Sequence, residues 1–218
     1  MNIQNLFKNK KEKKAMLLNG LLNVKSDDKL FESMTTLQNE ISVSFNTKVV
    51  AIASINDDDL SANFAKAFAD TFSRNGSSCL IIDANLYDQK LRALLGEVNK
   101  SSDDAEVEFK GNSDKDRQFI TVDDKVDALC LDNEIYPSKI YKSGLIQKTI
   151  KENKDKYEHF ILIVPSLKNH KEISLLGDVI ESIVLVAQKN VTIKEHIFNA
   201  IQYLAANELP LAKTVVVK

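Results

Sequence analysis

A chain of 218 residues, 44% of them hydrophobic, is long enough to bury roughly 70% of its unfolded surface around one sizeable core. Its formal charge is −2 and its isoelectric point about 6.0, with no aromatic residues set among clustered lysines, which argues against a nucleic-acid binder. With no run of about 18 apolar residues and no leader pattern, a soluble, cytoplasmic chain is expected, and Cys79 and Cys130, at no metal-ligand spacing, read as core thiols of a reducing compartment.

Residues 1–27 read as a basic tail outside the fold. Lys8, Lys10, Lys11, Lys13 and Lys14 stand between Phe7 and the apolar run Met16, Leu17, Leu18. Such a patch either stays solvated or touches the inner face of an anionic membrane, where each lysine adds about 1 kcal/mol. Residues 28–218 are expected to form a single α/β domain. Leu30, Phe31, Met34, Leu37, Ile41 and Phe45 recur at helical spacing. Val49 to Ala53 is a short apolar, β-branched run without period, the mark of a strand buried on both faces. A loop follows, and then Leu60, Phe64, Ala67, Phe68 and Phe72 trace a helix stopped by Arg74, Asn75 and Gly76. Cys79 to Ile82 is the next strand, ending in Asp83.

Beyond it, a second loop leads to Gly96–Gln118, a polar stretch expected as a mobile excursion or short helical pieces, with a polar loop at about 97–118. Asp127 to Leu131 reads as a strand and Ile140 to Ile150 as one helix. Phe160 to Val164 is a strand, Ile173 to Ile180 is mainly helical, Ser182 to Ala187 is a strand, Val191 to Ala206 is a helix and Thr214 to Val217 is a closing strand. Strands alternating with helices imply a doubly wound, mainly parallel sheet with helices on both faces. His159, His170 and His196 are dispersed, with no acid or serine at a telling spacing, so no catalytic triad and no metal site are expected.

The order VVAIAS, INDDDLSANFA, LIIDANLYDQ resembles the bacterial tyrosine kinases of capsule and exopolysaccharide synthesis, P-loop proteins related to the septum-placement and partition ATPases. The resemblance runs from about residue 29 to 218 and implies a P-loop NTPase-like fold. It also implies a nucleotide site at Ser54, Asp57, Asp58, Asp59, Asp83, Asn85 and Val164. The chemistry there departs from the pattern. A phosphate loop uses glycines to turn its N–H groups inward, a lysine for the β- and γ-phosphates and a Ser or Thr for magnesium. No glycine or lysine stands between Ser54 and Ala65, and Asp57, Asp58 and Asp59 take their place. Replacing an attractive cation by an anion at about 4 Å changes the interaction by about 8 kcal/mol at an effective dielectric near 20, the whole binding energy of a micromolar ligand. An aspartate there is expected to cap the helix N-terminus and fill the anion site; a metal held by the acidic cluster is the sharper alternative.

Asp83 matches the first acid of the family's second motif, but Asn85 replaces the next acid and Tyr87 the arginine. Val164 takes the place of the third motif's magnesium-orienting aspartate, before Pro165 and Ser166. The family's ring-forming helix motif survives only as Glu32, with Thr35 and Gln38 where its arginines stand, so a family-type ring is not expected while a dimer through another face stays open. No tyrosine cluster follows Val217, so no self-phosphorylated tail is expected. These departures imply a catalytically inactive, kinase-like scaffold or regulator that uses no cofactor and binds a membrane adaptor or another polysaccharide-synthesis protein. The alternative is a tyrosine kinase or ATPase that holds ATP and magnesium at an unconventional phosphate site, borrowing a cation such as Lys48 or Lys66.

Overall fold

The computed structural model describes residues 28–45, 47–55, 58–88, 90–100, 117–131, 137–168 and 170–217. Seven strands form one sheet: β1 (Val49–Ser54), β2 (Cys79–Asp83), β3 (Arg117–Asp123), β4 (Val126–Leu131), β5 (His159–Val164), β6 (Ser182–Gln188) and β7 (Leu211–Val217). Their order is β3-β4-β2-β5-β1-β6-β7, and every neighbouring pair is parallel except the β3/β4 hairpin. The central strands β1, β2, β5 and β6 are buried almost end to end, which is why their sequences are unbroken apolar runs rather than alternations.

The helices divide between the two faces. On one lie α1 (Asp28–Phe45), α2 (Asp58–Arg74) and α3 (Lys90–Lys100), packed through Met34, Phe64, Phe68, Phe72 and Leu91 onto Val50, Ile52, Ile81, Ile161 and Ile163. On the other lie α4 (Pro137–Lys142), α5 (Leu145–Asn153), the 3-10 segment Glu172–Leu176 and α6 (Lys194–Ala206), packed onto Ala51, Ala53, Leu80, Ile82, Leu162 and Val164. Each strand thus sends alternate side chains to opposite helical layers. The doubly wound arrangement agrees with the sequence-based reading.

Local signals explain the boundaries. At the end of α2, Gly76 takes φ 91° while its N–H bonds the Ser73 carbonyl at 2.9 Å and the Ser77 N–H reaches back to Phe72 at 3.0 Å. This is a Schellman stop, open to glycine because it has no Cβ to clash in the left-handed region.

Several elements differ from the sequence-based reading. The single helix expected across 140–150 is two, because Gly144 adopts φ 74° and breaks the rod between α4 and α5. The stretch before Gly96 holds α3, whose Leu91, Leu94 and Leu95 are buried against α2. Of the stretch at 97–118, residues 97–100 are the end of α3 and 117–118 the start of β3, and residues 101–116 lie outside the described residues. In β3, Ile120 is buried between exposed or half-exposed neighbours, the alternation of an antiparallel edge strand. Residues 172–176 form only a 3-10 turn, and α6 starts at Lys194 instead of Val191.

Candidate functional site

In open α/β sheets ligands sit outside the carboxyl ends of the strands, where loops leave the sheet. Among the described residues, backbone bonds tie the loops at this edge to one another. The loop after β5 lies against the loop after β1: the Leu167 N–H donates to the Ser54 carbonyl at 3.1 Å and the Lys168 N–H to the Ile55 carbonyl at 2.9 Å. On the other side of β1, the Ile55 N–H donates to the Val186 carbonyl of β6 at 3.2 Å, and towards α2 the Ser54 N–H donates to Ser61 Oγ at 3.0 Å. The Ser54 and Ile55 N–H groups are therefore paired inside the fold, and the carbonyls of both residues hold the loop after β5.

The loop after β2 is fastened in the same way. The Ala84 N–H donates to the Ile163 carbonyl at 3.0 Å, and the buried Tyr141 hydroxyl of α4 donates to the Ala84 carbonyl at 2.6 Å. Asp83 is fully buried and accepts the Asn85 N–H at 3.1 Å, while Asn85 Oδ1 accepts the Tyr87 N–H at 3.3 Å. Two consecutive Asx turns result, the local bond that makes Asp and Asn turn residues. The Tyr87 ring then stacks on His170, with centroids 3.8 Å apart, and its hydroxyl donates to Glu172 Oε1 at 2.5 Å. Burial and the bond to Glu172 push the Tyr87 phenol up to about 12, and that same bond holds the Glu172 carboxyl below its ordinary range. A neutral Tyr87 thus pins the β2 loop to the segment after β5.

The residues singled out from sequence are only partly brought together. Ser54 and Asp83 end their strands on the side of α2 and α3, by alternation from Ile52 and Ile81, but Val164 points into the opposite layer. The β5 residue on their side is Ile163, in register with both Ile52 and Asp83. Sequence reading missed Ile163 because it counted from Pro165 without the strand's alternation. It also missed Arg92 of α3, whose guanidinium lies beside the Cys130 thiol, the neighbour of Asp83 on β4. Asp57 lies outside the described residues, as do the side chains of Asp58 and Asp59, whose backbones open α2. Ser54 Oγ and Asn85 Nδ2 are buried and have no hydrogen-bond partner among the described residues, and no group of three metal-binding side chains occurs among them.

On α1, Glu32 is exposed and Thr35 half-buried, whereas Gln38 is buried and accepts the Asn75 amide at 2.7 Å. An arginine does lie on this helix, but it belongs to α2: the Arg74 guanidinium sits 4.0 Å over the Phe31 ring. The segment from Lys8 to Lys14 lies outside the described residues.

The clefts of about 380 and 210 Å³ open at the opposite, amino edge of the sheet, between Thr47, Lys48, Ser78, Lys156 and His159 and between Lys125, Asp127 and Tyr157. One ion pair crosses them: Lys156 Nζ donates to Asp127 Oδ2 at 2.9 Å, and the Tyr157 hydroxyl donates to the same carboxylate. Burial tends to raise the Asp127 pKa, but hydrogen bonds from Lys156 and Tyr157 outweigh it and bring it below the ordinary 3.8. The stabilisation from this carboxylate is therefore complete above 3.8 and drains as pH falls through the lower native value. Asp127→Asn is expected to cost about 1–3 kcal/mol at neutral pH, with the deficit narrowing in acid. Urea melts of both proteins at neutral pH and near pH 3 check this, and parallel curves at both would refute it.

A mainly parallel seven-stranded sheet with helices on both faces, and loops meeting at the carboxyl ends of β1, β2 and β5, defines a P-loop NTPase-like α/β fold. Among solved structures the chain is similar to the kinase domain of Escherichia coli tyrosine kinase ETK, at 15% identity over 89% of this chain and 77% of that one, with a TM-score of 0.69. It is similar to the chimerical protein CapA2B2 at 13% identity over 90% and 87%, with a TM-score of 0.71. It is also similar to the MinD cell division protein of Aquifex aeolicus at 17% identity over 79% and 70%, with a TM-score of 0.51. No family model matches the chain, and no curated protein matches it. Identities this low make the likeness one of fold. Among the described residues no helix is long and apolar enough to cross a membrane.

Proposed function

We propose that this chain is a catalytically inactive, kinase-like scaffold or regulator in capsular or exopolysaccharide synthesis or export. The observation that carries this reading is the pair of backbone bonds from Leu167 and Lys168 to the Ser54 and Ile55 carbonyls. They hold the β5 loop against the end of β1, while the Ser54 and Ile55 N–H groups are taken by Ser61 Oγ and the Val186 carbonyl rather than left for a phosphate. The sequence of that loop supports the reading, with three aspartates and no glycine or lysine between Ser54 and Ala65. Apolar Ile163 and Val164 at the end of β5 support it as well, since neither side of the sheet offers a carboxylate there for magnesium. In this role the chain uses no cofactor and works at the inner face of the membrane beside an adaptor or another polysaccharide-synthesis protein, with Lys8, Lys10, Lys11, Lys13 and Lys14 as a membrane-facing patch.

The test is thermal unfolding with millimolar ATP or ADP and magnesium. A nucleotide at 100 times its dissociation constant adds about 2.7 kcal/mol, or about 5–11 °C for a chain of this size. The expected shift is below about 1 °C. A clear magnesium-dependent shift would overturn the proposal in favour of an unconventional nucleotide site built on Asp83.

A further inference from the structure

We infer that the outer edge of β7 and the adjoining flank of α6 form a self-complementary surface that takes a second copy of this chain. β7 is an edge strand among the described residues, seven residues long and reading LAKTVVV, with β6 on one side only. A long apolar edge with an unpaired row of backbone groups is a template for strand pairing unless charges guard it. Its one charged side chain, Lys213, is turned back onto α1, where it donates to Glu40 Oε2 at 2.7 Å. The guard is neutralised from within.

Side chains beside this edge point the same way. Val215 and Val217 pack into the layer of α1 and α2, so Val216 projects on the α6 side, where it is 58% exposed. On α6, Tyr203 marks the inner flank, because its hydroxyl bonds the Lys171 carbonyl. At 100° per residue Phe198 and Ala205 fall on the opposite, outer flank, over β7, with Ile201 between them and the buried stripe. Phe198 is 59% exposed and Ala205 exposed, and Phe198, Ile201 and Ala205 follow the three- and four-residue spacing of a helix-packing seam.

A two-fold axis perpendicular to the sheet, passing beside Thr214, pairs β7 antiparallel with its copy and doubles the seven-stranded sheet. With strands about 4.8 Å apart, two helices seated over adjacent β6/β7 pairs come to lie about 10 Å apart, the distance of packed helices. The helices run antiparallel, so bulky Phe198 of one copy meets small Ala205 of the other. Lys194, at the start of α6, faces Glu208 of the second copy, just past the end of its helix. One patch thus supplies large against small and positive against negative, which commits the surface to a copy of itself. The inference is independent of whether nucleotide binds.

The test is light-scattering mass and sedimentation velocity of the full chain from micromolar to submillimolar concentration. The wild type is expected to approach twice the 24.4 kDa of one chain. Phe198→Glu and Ala205→Arg, both at exposed positions, are each expected to return it to a single chain that melts where the wild type melts once diluted to single chains. The Phe198→Glu/Ala205→Arg double variant is expected to recover the double mass, because the new charges meet across the two-fold. A wild type that stays single at all concentrations overturns the inference, as do a dimer that both single variants keep and a double variant that fails to recover. A single chain that instead sediments with anionic vesicles through Phe198 overturns it in favour of a lipid surface.

Discussion

Ile163→Asp is expected to destabilise the protein by about 3–5 kcal/mol, lowering its melting temperature by about 6–20 °C. Ile163 is 1% exposed and stands between Ile52 and Asp83 in the sheet. A carboxylate there loses its hydration and lies one strand spacing, about 4.8 Å, from the fully buried Asp83. Desolvation and like charge both raise its pKa, so the deficit is largest at neutral pH and shrinks as acid protonates the new group. In a site built for magnesium the same substitution would supply the missing oxygen ligand, and the metal would recover the lost stability. Melting curves of the variant with and without millimolar magnesium and ATP separate the two cases. No recovery is expected; a gain of several degrees with metal would show that this edge of the sheet still opens to a ligand.

Phe68→Ala is the second large effect, with an expected loss of about 3–5 kcal/mol. Phe68 is fully buried in α2, edge-on to Phe72 at 5.0 Å and 6.1 Å from Phe64, in a row that ends with Phe72 against His159 at 4.3 Å. Removing the middle ring takes away its buried area and leaves a cavity between a helix and a sheet whose backbones are fixed by their own hydrogen bonds. Chemical denaturation should show a lower midpoint with an unchanged slope. Phe198→Ala, on the exposed flank of α6, should change the midpoint of a single chain by no more than about 0.5 kcal/mol. A Phe68 variant that melts with the wild type would mean that this row is not the core of the α2 layer.

The sequence carried most of the fold because the central strands are buried on both faces. Val49 to Ala53 and Phe160 to Val164 read as apolar runs whose length and flanks leave little choice. The weak points were elements whose neighbours set their character. β3 is a half-exposed edge strand whose Phe119 packs into one layer and Ile120 and Val122 into the other, and α3 shows its stripe of Leu91, Leu94 and Leu95 only once α2 is there to bury it. Gly144 gave a local signal, yet a lone glycine in a helical pattern does not reveal that its φ is positive.

Less of the candidate site was legible. The loss of glycine and lysine after Ser54 is a matter of composition, and it can be read directly. The side of the sheet that each strand-end residue faces depends on register, so Val164 was singled out where Ile163 shares the layer of Asp83. The bonds from Leu167 and Lys168 to the β1 loop are backbone contacts between segments more than a hundred residues apart, and no side-chain pattern announces them.

The strand order also sets a timetable. β5 fills the gap between β2 and β1, yet Phe160 is made long after its partner Val49. At roughly 5–20 residues per second, a ribosome holds β1 and β2 apart for on the order of ten seconds with no strand between them. During that interval the apolar rims of both strands and the underside of α2 face water, and only the arrival of residues 159–164 lets the two halves of the sheet knit together. The nascent chain is therefore most exposed to aggregation, and most in need of a chaperone, after α2 is complete and before β5 leaves the exit tunnel.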